Sequence, residues 1–378
     1  MTARAVLARH FGYGGLRSSQ VKVLGPLLAG CNVLAVLPTG AGKSVCYQLP
    51  ALMLHGLTLV VSPLIALMQD QVSALARRGI RAAYLNSTLE PAEQRRVLAD
   101  AHAGRVTLLY CAPERLDTLA REFRARNLRP SLLAVDEAHC ILEWGNEFRP
   151  AYRQLGGHRY LLGDPLTIAL TGTATHAARA EITRVLRIPD ARVVVESFDR
   201  PNLRFVVRRI RDDRERFAVI RALIRSSDGS VIIYAPTQRL TELVARALLR
   251  VNVRAAPYHA GLTIETRRQT LLDFLGDPLS VVVATTAFGM GIDKPTVRRV
   301  VHWGPSRTLE AYYQEAGRAG RDGNAAECVL LWNPDDLEWS GSNAPMRRYV
   351  ERRSCRRRAL LEHLGERLVT CAGCDVCA

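Results

Sequence analysis

Two short segments in the first half of the chain carry residues suited to binding and cleaving a nucleoside triphosphate. The segment LPTGAGKS, residues 37–44, has glycines that let backbone N–H groups face a phosphate. Lys43 adds a point charge for the β- and γ-phosphates, and the Ser44 hydroxyl can ligate Mg²⁺. The segment DEAH, residues 136–139, ends an apolar run; Asp136 is suited to hold Mg²⁺ through water and Glu137 to polarise the attacking water. Together they predict a hydrolytic nucleotide site.

A third segment, QEAGRAGRDG at residues 314–323, lies in the second half of the chain. Arg318 and Arg321 stand there in a turn that we expect after a helix at residues 308–316. An arginine brought to a transferring phosphoryl group stabilises its charge and is worth ~10³ to 10⁵ in rate. A solvated basic turn is the alternative, but Gln314 and the surrounding glycines favour a functional one. A chain that divides its hydrolytic residues between two halves can open and close as nucleotide is bound and cleaved.

Apolar runs alternate with helical patterns along most of the chain. The runs are continuous and rich in β-branched residues, which is typical of parallel strands buried on both faces. They occur at residues 32–37, 57–62, 106–111, 132–136, 166–173, 230–235, 254–259, 280–285, 298–303 and 327–332. Residues 63–79 and 91–103 have helical spacing, and SFDRPNLRF, residues 197–205, has the composition of a linker. The pattern predicts two doubly wound α/β domains with sites at the carboxyl ends of the strands.

The composition favours a polyanionic partner. The net charge is +16 and the pI is near 9.9, so we expect a phosphate backbone to bind and the binding to weaken steeply with salt. Only Lys22, Lys43 and Lys294 among the 52 basic residues are lysine, for which codon usage is the ordinary explanation. The chain has no apolar run of the ~18 to 20 residues that a membrane helix needs, and its N-terminus has no export signal. These features predict a cytoplasmic protein.

The nine cysteines fall into two groups. The five in scattered apolar surroundings are expected to pack as small hydrophobic residues: Cys31, Cys46, Cys111, Cys140 and Cys328. The other four are Cys355, Cys371, Cys374 and Cys377. Their short spacings let thiolates converge on one tetrahedral ion, for which Zn²⁺ is the expected metal, with a role in folding. His363 is left out because we expect it in the middle of a helix.

These segments together resemble the RecQ DNA helicases of superfamily 2 over nearly the whole chain. FGYGGLRSSQ, residues 11–20, looks like the family's adenine-recognition segment, which implies that Tyr13 stacks on the base and that Arg17 and Gln20 bind it. Further family motifs are resembled by residues 60–72, 110–116, 171–175, 284–295 and 312–323. The spacing of the last four cysteines resembles the RecQ zinc module.

The resemblance implies two tandem RecA-like P-loop NTPase domains, with parallel sheets flanked by helices, and a small helical zinc-binding module. We expect these at residues 1–200, 201–340 and 341–378. ATP would bind between the two domains, contacted by Tyr13, Arg17, Gln20, Thr39, Gly40, Ala41, Gly42, Lys43 and Ser44. The catalytic set would be Lys43, Asp136, Glu137, Gln314, Arg318 and Arg321. Arg321 would act as the arginine finger, with support from Arg318.

CILEWGNEFRPAY, residues 140–152, resembles most specifically the RecQ aromatic-rich loop that couples DNA binding to ATP hydrolysis. Trp144 and Phe148 offer stacking surfaces to unpaired bases, and Arg149 can meet a phosphate. Core packing is the alternative for the aromatic residues, but the polar spacing favours an exposed loop. Asn146 stands where the family commonly has histidine, which predicts a weaker or differently tuned coupling.

Two further features leave alternatives open. His139 is expected to relay between the magnesium site and the DNA-binding loop, or to be a buried, hydrogen-bonded histidine. The segment 347–358 contains seven arginines, which either form a solvated helical face or contact duplex phosphates.

The expected function is that of an ATP-dependent 3′–5′ DNA helicase that uses ATP, Mg²⁺ and Zn²⁺ in recombination and repair. The resemblance implies single-stranded and tailed or forked duplex DNA as partner, a monomer associated with the nucleoid, and a single-stranded-DNA-binding protein or recombination proteins as further partners. The sequence stops one residue after Cys377, whereas the family typically continues into a winged-helix domain and often a further helical domain. A short form is therefore expected, and strand separation is in question. The alternatives are a DNA-stimulated translocase that does not unwind, and a DNA-binding or annealing module that uses ATP as a switch.

Overall fold

A computed structural model of the protein describes residues 2–38, 40–63, 65–86, 89–143, 150–288 and 294–377. The chain divides into two compact units, Met1–Ser197 and Phe198–Ala378. Each unit contains one parallel β-sheet with helices in the connections, as the alternating pattern predicts. Within those described ranges, no helix is both long enough and apolar enough to cross a membrane.

The sheet of the first unit has seven strands. They are β1 (Val33–Val36), β2 (Thr58–Val61), β3 (Ala82–Leu85), β4 (Leu108–Cys111), β5 (Leu132–Val135), β6 (Leu166–Thr171) and β7 (Arg192–Val195), in the order β3-β4-β2-β5-β6-β1-β7. Strands β1, β2, β4 and β5 are buried at every position, which is why they read as continuous apolar runs. The sequence analysis misses the edge strands β3 and β7, whose apolar runs AAYL and VVV are short and lie at positions that are mostly not buried.

Helices connect the strands of this sheet. They are α1 (Ala3–Phe11), α2 (Ser18–Leu28), α3 (Val45–Met53), α4 (Ile65–Arg77), α5 (Pro91–His102), α6 (Leu116–Ala125), α7 (Cys140–Glu143), α8 (Leu155–Leu161) and α9 (His176–Val185), with 3₁₀ turns at Pro113–Arg115 and Pro150–Gln154. Helices α4 and α5 confirm the two predicted helical segments. Helix α5 begins with a capping box between Glu90 and Glu93 and with Pro91 in its first turn, a sequence that favours a helix start.

The second unit contains a six-stranded parallel sheet. Its strands are β8 (Leu203–Arg209), β9 (Ser230–Tyr234), β10 (Ala255–Tyr258), β11 (Val281–Ala284), β12 (Val297–His302) and β13 (Ala326–Trp332), in the order β10-β11-β9-β12-β13-β8. Its helices are α10 (Asp213–Arg225), α11 (Gln238–Leu249), α12 (Ile264–Leu275), α13 (Leu309–Ala316), α14 (Pro334–Trp339), α15 (Ala344–Glu351) and α16 (Arg356–His363). Helix α13 confirms the predicted helix, and the Thr308 side chain caps it by accepting from the Ala311 N–H.

The predicted linker at residues 197–205 is too long at its C-terminal end, because β8 begins at Leu203. This strand alternates in burial at its start, with Leu203 and Phe205 buried and Arg204 exposed, so it lacks the continuous apolar run of a central strand. Strand β8 lies at the edge of its sheet, paired with β13.

Four of the five scattered cysteines are buried as predicted: Cys46, Cys111, Cys140 and Cys328. Burial raises the pKa of the Cys46, Cys111 and Cys328 thiols to about 12, so these groups stay neutral and pack as apolar side chains. The prediction is wrong for Cys31, which is exposed. Its backbone N–H donates to Pro26 O at 3.0 Å, so Cys31 lies in the turn that ends α2 and not in the core.

Candidate functional site

The phosphate loop connects β1 to α3, the strand-to-helix setting that a phosphate-binding loop requires. Gly40 and Gly42 have φ angles of 84° and 77°, in the left-handed region that favours glycine. A Cβ atom at Gly42 would lie 2.6 Å from Gln20 Nε2, so a side chain there would displace the Gln20 amide from the loop. Thr39 lies outside the described residues.

The first turn of α2 supports the phosphate loop from one side, with Arg17 as the N-cap of the helix and Gln20 within it. Arg17 Nη1 donates to Gly40 O, and Gln20 Nε2 donates to Gly42 O at 3.2 Å. Gln20 Oε1 accepts the Arg17 backbone N–H at 2.9 Å, so the two residues form one unit. Tyr13 is 49% exposed, which leaves its ring accessible to a flat apolar ligand. Arg17 and Gln20, which the family resemblance assigns to base binding, therefore also fix the carbonyl groups of the loop.

Two acidic residues lie at the carboxyl edge of the same sheet. Asp136 follows β5, and its N–H donates to Val61 O at the end of β2 at 2.9 Å. Burial and the nearby Glu137 raise the pKa of Asp136 to about 7, while the Lys43 ammonium opposes this rise. Lys43 itself donates to Leu37 O at 3.4 Å. Lys43 and Asp136 are thus close enough to influence each other, and a divalent cation would favour the ionised carboxylate.

Glu137 has a left-handed backbone, with φ of 48°, which is uncommon for a residue with a side chain. The strain is held by hydrogen bonds on both sides: the Glu137 N–H donates to Asp136 Oδ1 at 3.0 Å, and the Ala138 N–H donates to Leu170 O at 2.8 Å. The turn thereby connects the ends of β5 and β6. Glu137 is a candidate to activate water.

His139 is buried and connects this turn to the end of β6. Its Nδ1 lies 3.0 Å from Thr171 Oγ1 and 3.4 Å from Glu137 Oε2. Because the Thr171 hydroxyl donates its hydrogen to Thr173 O at 2.9 Å, His139 Nδ1 carries the hydrogen in this contact. The alternative of a buried, hydrogen-bonded histidine describes His139 here, and its contacts join the acidic turn to the segment 171–175. The expected relay to the DNA-binding loop stays a prediction.

The two ends of the segment 140–152 lie in α7 and in the 3₁₀ turn Pro150–Gln154. Trp144, Asn146, Phe148 and Arg149 lie outside the described residues, as do the central residues of the motif at 284–295. The chain enters the aromatic-rich loop from α7.

In the second unit, the two predicted arginines lie in the turn after α13. Arg318 is buried next to Tyr234, whose hydroxyl donates to Phe288 O at 2.7 Å. Burial raises the pKa of Tyr234 to about 12, and the positive charge of Arg318 opposes this rise. Arg321 is partly exposed, and Gln314 is partly exposed on α13. The pair therefore combines an arginine fixed in the unit with a more accessible one.

Ion pairs and hydrogen bonds hold the neighbours of these arginines. Glu315 accepts from Ser306 Oγ at 2.8 Å and lies 2.9 Å from His302 Nε2. Asp322 accepts from Arg298 Nη1 at 3.1 Å, and this hydrogen-bonded guanidinium lowers the pKa of Asp322 to about 2. The acidic side chains next to the two arginines are thus engaged with other partners.

The four C-terminal cysteines converge. Their Sγ atoms, from Cys355, Cys371, Cys374 and Cys377, all lie within 4.8 Å of one another. A tetrahedral Zn²⁺ with Zn–S bonds of ~2.3 Å requires sulfur separations of about 3.8 Å, so the donor set fits this ion. Burial acts to raise the pKa of the Cys374 thiol, but hydrogen bonds from backbone N–H groups outweigh it and lower this pKa to about 7, which favours the thiolate that a metal binds.

The cysteine cluster is attached to the edge strand β8. Cys374 forms a bridge with Phe205, and the Asp375 carboxylate accepts the Val207 N–H at 3.1 Å. Arg356 and Arg357 are buried; Arg356 Nε donates to Asp375 Oδ1 at 3.1 Å. A solvated helical face is therefore wrong for these two arginines, because their guanidinium groups bind carboxylates and carbonyls inside the unit. His363 ends α16 and does not lie in its middle, and its Nε2 lies 2.8 Å from Glu310 Oε1.

Sequence reasoning also missed Arg200 and Asn202, which contact the turn that carries Arg318 and Arg321. The polar residues on either side of Pro201 predict only a linker. Hydrogen-bonding residues directly before a strand were the available signal.

Comparison with known proteins agrees with this arrangement. Three family models match the chain: DEAD/DEAH box helicase at residues 17–182, helicase conserved C-terminal domain at 215–323, and RecQ zinc-binding at 342–378. In fold, the chain resembles the Mycobacterium smegmatis helicase Lhr bound to ssDNA and AMP-PNP, with a TM-score of 0.72 and 22% identity over 92% of this chain and 49% of that one. The two parallel-sheet units thus have the fold of RecA-like helicase cores.

Curated relatives define the family. The ATP-dependent DNA helicase RecQ of Pasteurella multocida is 41% identical over 100% of this chain and 62% of its own length. The probable ATP-dependent DNA helicase RecS of Bacillus subtilis is 40% identical over 88% of this chain and 67% of its own length. The chain belongs to the RecQ helicase family. It spans about three fifths of the length of the Pasteurella relative.

Proposed function

We propose that this protein is an ATP-dependent DNA helicase that moves 3′ to 5′ on single-stranded DNA. The observation that carries the proposal is the shared carboxyl edge of β1, β5 and β6. The phosphate loop, Asp136 and Glu137, and the segment 171–175 all lie there in a chain of the RecQ family. Because carboxyl ends of parallel strands are where α/β proteins bind nucleotides, this edge is suited to ATP.

The proposed roles follow from the contacts. Backbone N–H groups of residues 39–44 and the Lys43 ammonium would bind the phosphates, and Tyr13, Arg17 and Gln20 would bind the base. Ser44 and Asp136 would hold Mg²⁺, which supplies charge neutralisation of the phosphate oxygens when bound. Glu137 would orient the attacking water. The Lys43 ammonium has three N–H donors and makes one long contact of 3.4 Å with Leu37 O, so donors remain for a phosphate.

Arg321 would supply the positive charge that stabilises the transferring γ-phosphoryl group, with Gln314 and Arg318 in support. The more accessible of the two arginines is assigned the finger role because it can reach a ligand, whereas Arg318 is buried beside Tyr234. We keep three functional domains, at residues 1–200, 201–340 and 341–378, and assign Zn²⁺ to the four clustered cysteines.

DNA is the proposed partner. The net charge of +16 favours a phosphate backbone, and Trp144, Phe148 and Arg149 would contact unpaired bases and a phosphate. The Pasteurella relative is described as a DNA helicase, which supports DNA over RNA. A cytoplasmic, nucleoid-associated monomer that meets single-stranded-DNA-binding or recombination proteins completes the proposal.

Strand displacement and ATP turnover, followed together, test the function. The substrate is a duplex with a 3′ single-stranded tail; duplexes with a 5′ tail or blunt ends test direction, and an RNA-tailed duplex tests the nucleic acid. We expect displacement of the 3′-tailed DNA duplex only, in the presence of ATP and Mg²⁺. DNA-stimulated ATP hydrolysis without strand displacement would show that the protein is a translocase and not a helicase. ATP binding without hydrolysis would leave only a nucleotide-switched DNA-binding module.

A further inference from the structure

The turn that carries Arg318 and Arg321 presents backbone carbonyl groups to side chains from elsewhere in the unit. This turn follows α13 directly, since the helix ends at Ala316, and the carbonyls of Gly317, Ala319 and Gly320 lie just beyond the helix. A cationic side chain is a favourable partner at such an end, because it also meets the negative end of the helix dipole.

Arg200 supplies these donors from a distant part of the sequence. Its Nη1 donates to Gly317 O at 3.3 Å, and its Nη2 donates to Ala319 O at 3.1 Å and to Gly320 O at 2.7 Å. One planar guanidinium group therefore binds three carbonyls, one before Arg318 in the sequence and two after it. A lysine has a single ammonium group and does not reproduce this planar geometry.

Asn202 fixes the same turn from a second point. Its Nδ2 donates to Gly320 O at 2.8 Å and to Asn324 O at 2.8 Å. The two acceptors lie on either side of Arg321, so Asn202 sets the width of the loop that presents this arginine. Gly320 has a φ angle of 54°, and a Cβ atom there would lie 2.5 Å from Asn202 Nδ2, so the contact leaves no space for a side chain.

The segment that contains Arg200 and Asn202 is itself bound by residues near the C-terminus. Arg357 Nη1 donates to Asp199 Oδ1 at 2.5 Å and to Arg200 O at 2.8 Å, and Arg357 Nη2 donates to Leu203 O. The Phe198 N–H donates to Glu366 Oε2 at 2.6 Å. Since Arg357 is buried, its contacts are shielded from water and do not relax easily. The segment is thus a fixed support and not a loose connection.

We propose that Arg200 and Asn202 are positioning residues for the arginine turn, which place Arg321 for phosphoryl transfer without touching nucleotide themselves. The inference rests on the proposed function, since it requires that Arg321 act in ATP hydrolysis. Small displacements of a catalytic group cost much rate, about 10²-fold for a shift of 1 Å, so loss of the support should appear in kcat.

The variants Arg200→Ala, Arg200→Lys and Asn202→Asp test the proposal. Arg204→Ala is the matched control: Arg204 is close in sequence and exposed, and it pairs with Glu327 on the same sheet. We expect Arg200→Ala to lower the kcat for DNA-stimulated ATP hydrolysis ~10- to 100-fold, with the KM for ATP changed less than about threefold. Arg200→Lys and Asn202→Asp should give smaller losses, and Arg204→Ala should leave kcat unchanged.

A transition-state mimic separates positioning from a general loss of structure. Arg200→Ala should weaken binding of ADP with aluminium fluoride by the same factor as it lowers kcat, while the affinity for ADP alone stays as in the wild type. If Arg200→Ala does not fold, as judged by thermal unfolding, Asn202→Asp carries the same test, because it removes the Nδ2 donors at constant size.

A double-mutant cycle provides the decisive readout. If Arg200 acts through Arg321, the Arg200→Ala/Arg321→Ala protein should hydrolyse ATP no more slowly than Arg321→Ala alone. Additive losses would overturn the proposal, and so would an unchanged kcat in both Arg200→Ala and Asn202→Asp. Failure of the proposed function is distinct, since then the wild-type protein itself would not hydrolyse ATP or Arg321→Ala would have no effect.

Discussion

The phosphate loop of the first unit and the arginine turn of the second unit are built in different ways. The phosphate loop takes its shape from glycines within the loop and from two residues at the start of α2, Arg17 and Gln20, which lie about twenty positions away. The arginine turn depends on side chains that come from Arg200 and Asn202, 117 to 122 positions away. The proposed phosphate site is thus held by groups that are close in sequence, whereas the proposed finger arginine is held by side chains from a distant part of the chain.

The largest effect is expected for Lys43→Ala, which tests the local site. Removal of the ammonium should abolish ATP hydrolysis, with a loss of at least ~10³-fold, because no other lysine stands in this loop to neutralise the phosphates. DNA binding should remain, as measured by fluorescence anisotropy with a labelled oligonucleotide. Lys22→Ala is the control, since Lys22 is an exposed lysine that pairs with Glu196. Substantial turnover by Lys43→Ala would disprove the assignment of the loop.

Arg321→Ala tests the proposed role of Arg321 as the arginine finger. We expect a loss of ~10³-fold in kcat with retained ATP binding, because an arginine finger acts on the charge of the transition state. Steady-state hydrolysis and equilibrium binding of a fluorescent ATP analogue measure the two quantities. Arg268→Ala, at an exposed arginine paired with Glu265 on α12, is the control. A rise in KM without a change in kcat would show that Arg321 binds ATP in the ground state and is not a finger.

A comparison of Gly320→Ala with Gly323→Ala separates the effect of backbone strain in the arginine turn from the effect of its contact with Asn202. Both glycines have positive φ angles, 54° and 85°, so both substitutions strain the backbone. At Gly320 the new Cβ would also meet Asn202 Nδ2 at 2.5 Å and Asn324 O at 2.7 Å, whereas at Gly323 it would find open space. We expect Gly320→Ala to lower kcat by ~10²-fold and Gly323→Ala by much less. Equal losses in the two proteins would show that backbone strain alone determines the turn.

The smallest effect on turnover is expected for Cys374→Ser, which tests the cysteine cluster attached to strand β8. The substitution removes one thiolate from the cluster, so bound zinc should fall below one ion per chain, and the second unit should lose stability. Metal analysis and hydrogen exchange measure the two results, with faster exchange expected in β8, to which Cys374 is bridged. The first unit should exchange as before. Cys31→Ser, at an exposed cysteine, is the control, and equal effects of the two substitutions would contradict a metal-binding cluster.

The central strands could be predicted from the sequence because they are buried on both faces. Strand β5 reads as LLAV and is buried at every position, and Asp136 follows it as predicted. The edge strands β3 and β7 could not be found this way, because their burial depends on which neighbours the sheet provides. The same reason explains Cys31, whose apolar sequence surroundings do not reveal that it lies in a surface turn.

The order of residues is enough to predict the groups that lie close together along the chain: the glycines and Lys43 of the phosphate loop, the adjacent Asp136 and Glu137, and the cysteine spacings that allow four thiolates to meet. These patterns are readable because residues close in sequence stay close in space in any compact fold. Two arginine contacts become visible only in the folded chain: Arg200 binds the carbonyls of the arginine turn, and Arg357 is buried against Asp199. Charged side chains are ordinarily solvated, and what holds these two guanidinium groups in place is a set of acceptors that folding brings from more than a hundred positions away.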